Sequence, residues 1–489
     1  MKKLLSLLLV LALVLSLGTA LAEGAAKAPR YVFMFIGDGQ GSPQITAAQY
    51  YVGTLQNPEA VMPTPAGLSF TNFGSLGLIT TYDATSFCPD SASTATSMAS
   101  GEKTLSGVLN YNVDKTGTFK LITEYAKEAG KKVGVVTSVS LDHATPAAYY
   151  AKATSRSLYY DIAVQGLAGT TLDFLGGGAF LQPKGKDGDK QDVMEIAEEN
   201  GWTVVRKPDE IRALTKDSGR VLAMVEDVDG SQAMQYEIDR LYKEANGEDS
   251  VSLAEMVKAA VSSLDNENGF FLMTEGGKID WTCHANDAIT SIYDTIAFSE
   301  AVQVAIDFAK EHPEETLIIV TGDHETGGMT IGFAATAYDT HFNYLQNAKV
   351  SYQEFDKVIA GMRLSKVSFE DALKSIEAYY GLTTTAEQPL SLNESDLASL
   401  KAAFDLSMTE KADRKLGAAE ALAYGGYEPL SVTVTHIFNN KAGIAYTSYS
   451  HTGLQIPVYA MGINAELFGG QYDNTRIFDK TMAAMGLSK

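Results

Sequence analysis

Residues 31–39 read Tyr-Val-Phe-Met-Phe-Ile-Gly-Asp-Gly, "YVFMFIGDG". An apolar run without polar alternation leaves no face for water, so it predicts a strand covered on both sides, as in a parallel sheet between helices. Runs of the same kind return as "VGVVTSVS" from Val133, "RVLAMVED" from Arg220, "GFFLMTEGG" from Gly269, "TLIIVTGD" from Thr316 and "IPVYAMGI" from Ile456, with helix-like segments between them. That alternation predicts an α/β fold, a three-layer αβα sandwich with a largely parallel central sheet. From about residue 335 to 425 the strand signal fades and amphipathic helices take over. In "SFEDALKSIEAYY", Ser368 and Asp371 form a helix-start pair and Gly381 is the stop. We read residues 335–425 as a helical insertion in one domain spanning 23–489. The polar stretch "QPKGKDGDKQD" from Gln182 reads as a surface loop.

The chain has 489 residues, 45% hydrophobic and 20% charged, with only 13 prolines, which is a globular profile. Residues 1–22 carry Lys2 and Lys3, an apolar run from Leu4 to Leu17 and the small-residue triplet Ala20-Leu21-Ala22, which together read as a signal peptide. The apolar run is shorter than the roughly 20 residues of a spanning helix. The expectation is a secreted protein, periplasmic or extracellular, with no membrane span once the signal is removed. A net charge of −22 argues against nucleic acid and anionic membranes as partners, since both need positive patches. It suits an exported enzyme or a binder of cations. Two cysteines, Cys88 and Cys283, are too few for a disulfide framework, and one bridge or two buried thiols both remain open.

Chemistry is expected where the strands end, because ligands of open parallel sheets bind beyond the carboxyl ends of the strands. Asp38 follows the first run, Glu275 follows "GFFLMT", and Asp323 with His324 follows "TLIIVTG". In "EGGKIDWTCHAND", Asp280 and His284 stand four apart and share a helix face, so they can chelate one ion. His451 sits in a similar context. Carboxylates with imidazoles and no thiolates favour zinc, magnesium or manganese. Acids this dense repel one another unless cations fill the space between them, which implies a polynuclear metal site. Residues 89–101, "PDSASTATSMASG", fit either a tightly packed filler helix or a nucleophile mounted at a helix start.

Six blocks in order, "IGDGQG", "PDSASTAT", "DHATPAAYYAKATSR", "TEGGKIDWTCH", "TGDHETGG" and "HTG", resemble the alkaline phosphatases from about Tyr31 to Gly462. The resemblance implies a phosphomonoesterase in which Ser91 is the nucleophile and carries the phosphoryl group, with Asp90 beside it holding the local geometry. It implies a first zinc site of Asp280, His284 and His451, and a second of Asp38, Asp323 and His324. A third site, usually magnesium, would be Asp38, Thr145 and Glu275. Arg156 would grip the non-bridging phosphate oxygens. For Ser93, Thr94, Thr96 and Ser97 the filler-helix reading is preferred. Substrates would be small phosphate monoesters, and the resemblance leaves room for a homodimer.

Two residues depart from the best-known bacterial pattern: His143 stands where many bacterial members have Asp, and Trp281 where they have Lys. Both are expected near the third metal. If His143 reaches the ion directly, the site should accept zinc or cobalt in place of magnesium. Rival readings are a phosphodiesterase or sulfatase of the same superfamily, although "CPDSA" is not a sulfatase C-x-P-S-R motif, and a non-catalytic protein binding metal or phosphate. A guanidinium at Arg156 favours a terminal phosphate over a diester.

Overall fold

The computed structural model describes residues 27–60 and 62–489. The signal peptide read in residues 1–22 lies outside the described residues. Among those described, no helix is long and apolar enough to cross a membrane.

The strands are β1 (Tyr31–Gly37), β2 (Ser75–Thr80), β3 (Lys132–Thr137), β4 (Phe174–Gly177), β5 (Trp202–Val205), β6 (Arg220–Met224), β7 (Phe270–Gly276), β8 (Thr316–Gly322), β9 (Glu325–Thr326), β10 (Thr330–Ile331), β11 (Ile444–Ala445), β12 (His451–Thr452), β13 (Ile456–Gly462) and β14 (Gly470–Asp473). Ten of them form one sheet in the order β14-β2-β13-β8-β1-β7-β3-β4-β6-β5. Each of the six apolar runs read from the sequence supplies one of these strands. The sheet is parallel except at β13, which runs against both β8 and β2.

Both faces of the sheet are covered, and β1 shows why its sequence is apolar throughout. Tyr31, Phe33 and Phe35 enter one hydrophobic core, while Val32, Met34 and Ile36 enter the other. Successive side chains of a strand point to opposite faces, so a strand between two helical layers needs apolar residues at every position. Tyr31, Phe33, Phe270 and Phe308 meet one another edge-on or tilted on the first face, where helix Ala288–Glu311 packs. The second face is packed by small residues of helix Ser91–Ser100, every one of which is buried.

β1 also sets the site's position. In the central trio Gly37 pairs with Gly276 of β7 on one side and with Gly322 of β8 on the other. Three strands that end in register deliver their next residues to one place. The chain between β10 and β11 is helical, with helices Tyr352–Ser365, Phe369–Tyr380, Glu394–Ser407, Ala418–Tyr424 and Pro429–Ala442. Ser368 caps the second of these by accepting from Asp371 N–H at 3.1 Å, and Gly381 ends it at φ 72°. Cys88 is exposed, Cys283 is buried, and both are free thiols.

Candidate active site

Asp38, the first residue after β1, is fully buried. The chain can turn there because Gly39 adopts φ +70°, and a side chain at Gly39 would meet the Asp280 backbone at 2.8 Å. Asp323, at the corresponding point after β8, accepts from Gly39 N–H at 3.1 Å and from His324 N–H at 2.8 Å. Its second oxygen accepts from Thr94 Oγ1 at 2.9 Å and lies 3.1 Å from His324 Nε2. His324 Nε2 is also 3.4 Å from Asp38 Oδ1. Asp38, Asp323 and His324 therefore converge as one potential ligand group.

Asp280 and His284 occupy one face of helix Lys278–His284, with His284 Nε2 3.3 Å from Asp280 Oδ2. His451, on β12, brings Nε2 to 3.1 Å from His284 Nε2 and 3.5 Å from Asp280 Oδ1. The ring of His324 stacks on that of His451 at 3.6 Å, and the ligand atoms gathered here are those of Asp280, His324 and His451, with His284 beside them, so this group shares His324 with the previous one. The other ring nitrogens are fixed by backbone: Nδ1 of His284 donates to Tyr449 O at 2.6 Å, and Nδ1 of His451 to Pro89 O at 2.5 Å. A carbonyl can only accept, so Nδ1 carries a proton in both rings; burial disfavours the charged His284 ring, but Asp280 outweighs it and raises the pKa to about 9, so its Nε2 lone pair becomes available to an ion that displaces the proton.

A third group gathers Asp38, His143 and Glu275. Thr145, in the short helix Ala144–Ala147, donates from Oγ1 to Asp38 Oδ2 at 3.1 Å. Thr137, opposite Glu275 across the β3–β7 pair, donates to Glu275 Oε2. The remaining oxygen, Oε1, is buried without a protein partner. Nε2 of His143 lies 3.2 Å from Arg156 Nη2, and the Trp281 ring meets that imidazole edge-on at 5.6 Å. A guanidinium only donates, so Nε2 of His143 accepts and its proton sits on Nδ1. Burial, then the Arg156 charge, push the His143 pKa down to about 3, consistent with a neutral ring.

Ser91 opens helix Ser91–Ser100 and is 2% exposed. Its Oγ is 3.5 Å from Asp38 Oδ1 and 3.3 Å from His324 Nε2. Asp90 caps the helix by accepting from Ser93 N–H at 3.1 Å, and its other oxygen accepts from Arg156 Nη1 at 3.0 Å. Arg156 is thus aimed at the helix start that carries Ser91, where the helix dipole and free N–H groups favour an anion.

The electrostatics of the cluster call for cations. Burial first, then repulsion from Asp323, Asp280 and Glu275, raise the Asp38 carboxyl well above its ordinary range. Burial is also the leading cause at Glu275, raised to about 7, and at Asp323, raised to about 6. Asp280 goes the other way: burial opposes its charge, but His284, His451 and His324 outweigh it and hold it well below the usual range. Three neighbouring carboxyls that resist ionising together, with an unpartnered carboxylate oxygen among them, suit hard or borderline divalent ions with oxygen and nitrogen ligands.

Several contributors carried no readable signal. Thr94, read as filler, also donates to Asp323, so it supports the site as well as the packing, while the Ser93 hydroxyl donates to Asp83 Oδ2 at 2.8 Å within the packed helix. Glu325 accepts from Gln44 Nε2 at 2.8 Å, from Gly328 and Met329 N–H, and from the Thr452 hydroxyl. It thereby ties the segment bearing His324 to the strand bearing His451. Its position beside His324 in "TGDHETGG" was the available clue.

The family model described as alkaline phosphatase matches residues 29–487. Over 461 residues the chain is 32% identical to alkaline phosphatase 4 of Bacillus subtilis (strain 168), covering 91% of this chain and 86% of that protein. The Thermus thermophilus alkaline phosphatase structure is 26% identical, with a TM-score of 0.78 over 95% of this chain and 92% of that one. A His-to-Glu variant of the TAB5 alkaline phosphatase, with magnesium bound in its M3 site, is 25% identical, with a TM-score of 0.61 over 95% of this chain and 100% of that one.

Proposed function

The chain belongs to the alkaline phosphatase family and is a phosphomonoester hydrolase, and from that premise we propose that it works through a phosphoserine formed on Ser91. The observation that carries this reading is the Ser91 hydroxyl at a helix start, 3.3 Å from His324 Nε2, with Arg156 held by the capping Asp90. Asp280, His284 and His451 would hold one zinc, and Asp38, Asp323 and His324 a second. Asp38, Thr145 and Glu275 would hold a third ion, magnesium in the usual family pattern. When bound, such ions lower the pKa of hydroxyl and water and neutralise charge on the departing oxygen.

The chain's own groups then have separate tasks. Ser91 Oγ loses its proton and bonds to phosphorus as the ester P–O bond breaks and the alcohol leaves. Water then attacks the phosphoserine at phosphorus, freeing phosphate and restoring Ser91. Arg156 presents a planar pair of donors to two phosphate oxygens, which favours a terminal phosphate over a diester. The Ser91 N-terminus stabilises the dianion in both states. We further propose a single catalytic domain carrying residues 335–425 as a helical insertion, and export directed by residues 1–22. Turnover of p-nitrophenyl phosphate but not bis-p-nitrophenyl phosphate is the deciding assay. Preference for the bis-ester would favour a phosphodiesterase, and no turnover of either a binding protein.

Arg156→Ala is expected to raise KM and to weaken inhibition by inorganic phosphate by about 1.5–3 kcal/mol, with a smaller loss in kcat. Inhibition constants for phosphate in variant and parent check this. Unchanged constants would remove Arg156 from the phosphate site.

His143 can meet a third ion through Nε2 only by releasing Arg156. Its nitrogen donor should shift that site from magnesium toward zinc or cobalt. After chelation and refilling with zinc, cobalt should activate the parent more than magnesium does, and His143→Asp should reverse the order. The same order in both proteins would show that His143 does not set the preference.

A further inference from the structure

A cleft of about 340 Å³ adjoins the site, since His143 and His284 are among the residues that line it. Four aromatic side chains line it, Tyr159 and Trp281 from the main domain and Tyr352 and Tyr427 from the helical segment, beside Leu181, Ser231 and Gln353. No Lys, Arg, Asp or Glu is among the described residues that line it.

The rings are tethered. The Trp281 ring lies 4.8 Å from Nζ of Lys278, a buried ammonium whose own partner is buried Asp229. The Tyr352 hydroxyl bonds to the Tyr236 hydroxyl at 3.0 Å, and Tyr352 N–H donates to Asp287 Oδ2 at 2.8 Å. Tyr427 meets Tyr352 edge-on at 6.0 Å and stacks on Tyr449 at 6.1 Å. The loop before Tyr427 reaches this place through Gly425, at φ +56°, where any side chain would strike the Tyr449 ring at 2.2 Å. Tyr449 is also the residue whose carbonyl orients His284. One aromatic column therefore joins the cleft to a metal ligand.

We propose that this cleft is a leaving-group subsite that takes the flat, uncharged ring of an aryl phosphate monoester. The proposal rests on the assignment of Ser91 and Arg156 as the phosphate site. Fixed aromatic faces and edges favour a planar ring over an alkyl chain, and their geometry costs little to organise on binding. No Lys or Arg lines the cleft to pair with a second phosphate or a carboxylate on the leaving group, whose burial there is then costly. The cleft thus selects aryl esters against alkyl esters and against polyanions.

The test uses non-hydrolysable probes on the metal-loaded enzyme, with p-nitrophenyl phosphate as reporter. Phenylphosphonate should inhibit about tenfold more tightly than methylphosphonate. Tyr427→Ala and Tyr352→Leu should each bring that ratio toward one while inhibition by inorganic phosphate stays unchanged, and Tyr427→Phe should keep the parent ratio. Tyr427→Leu serves if the alanine variant does not fold. A ratio near one in the parent, a ratio that survives loss of both rings, or a parallel weakening of phosphate would each overturn the proposal. If the protein hydrolyses no monoester, the phosphatase reading fails instead, and calorimetric titration of the same two phosphonates still decides the subsite.

Discussion

Ser91→Ala abolishes turnover: kcat is expected to fall by at least ~10⁴-fold while fold and metal content survive. The structure gives the reasons for both halves. Ser91 Oγ makes only long contacts, 3.5 Å to Asp38 and 3.3 Å to His324, so little native bonding is lost with it. Alanine is the best helix former, and Asp90 continues to cap the helix by accepting from Ser93 N–H. What disappears is the atom that must bond to phosphorus. The Arg156 contacts and the helix N-terminus remain, so inorganic phosphate should still bind. Acid-quenched parent enzyme should carry phosphate on Ser91 by mass spectrometry, and the variant should carry none. Phosphate found on another serine, or a variant with parental kcat, would end the assignment.

Much of the fold was legible because its central strands are buried on both faces. A strand such as Tyr31–Gly37 must be apolar at every position, and that is a pattern sequence displays directly. The strands that went unread lack it. Ser75–Thr80 is alternately exposed, Phe174–Gly177 is half glycine, and Trp202–Val205 and Gly470–Asp473 are four-residue strands at the two sheet edges. The reversed direction of Ile456–Gly462 was also hidden, since an apolar run has no polarity of its own. At the site, Asp38, Glu275 and Asp323 could be anticipated because each lies at the end of such a run. The groups that orient the imidazoles could not. Tyr449 and Pro89 act through backbone carbonyls, which every residue possesses. The hydroxyl of Thr94 is seen to matter only once the helix lies against Asp323.

Asp38→Asn is expected to separate the two demands placed on this cluster, stability without cations and catalysis with them. Asp38 belongs to two of the three potential ligand groups, so its loss weakens two ions at once. Losing several kcal/mol of charge stabilisation corresponds to a fall in kcat/KM of about 10³-fold or more. Metal-free stability should move the other way. Burial, followed by repulsion from Asp323, Asp280 and Glu275, raises the Asp38 pKa in the folded protein above its unfolded value. The folded state then holds a proton that the unfolded state has released, so this group's contribution to stability is full below the unfolded pKa of about 4 and is lost as pH rises through the folded value. Asparagine does not titrate, and it keeps an oxygen that can accept from Thr145 Oγ1, now 3.1 Å from Asp38 Oδ2. Urea unfolding of chelated protein between pH 4 and 8 should therefore show a shallower loss of stability in Asp38→Asn than in the parent. Added zinc should stabilise the parent strongly and the variant little. Equal pH slopes would mean that the Asp38 charge is already compensated by the protein. Equal stabilisation by zinc would mean that Asp38 bridges nothing.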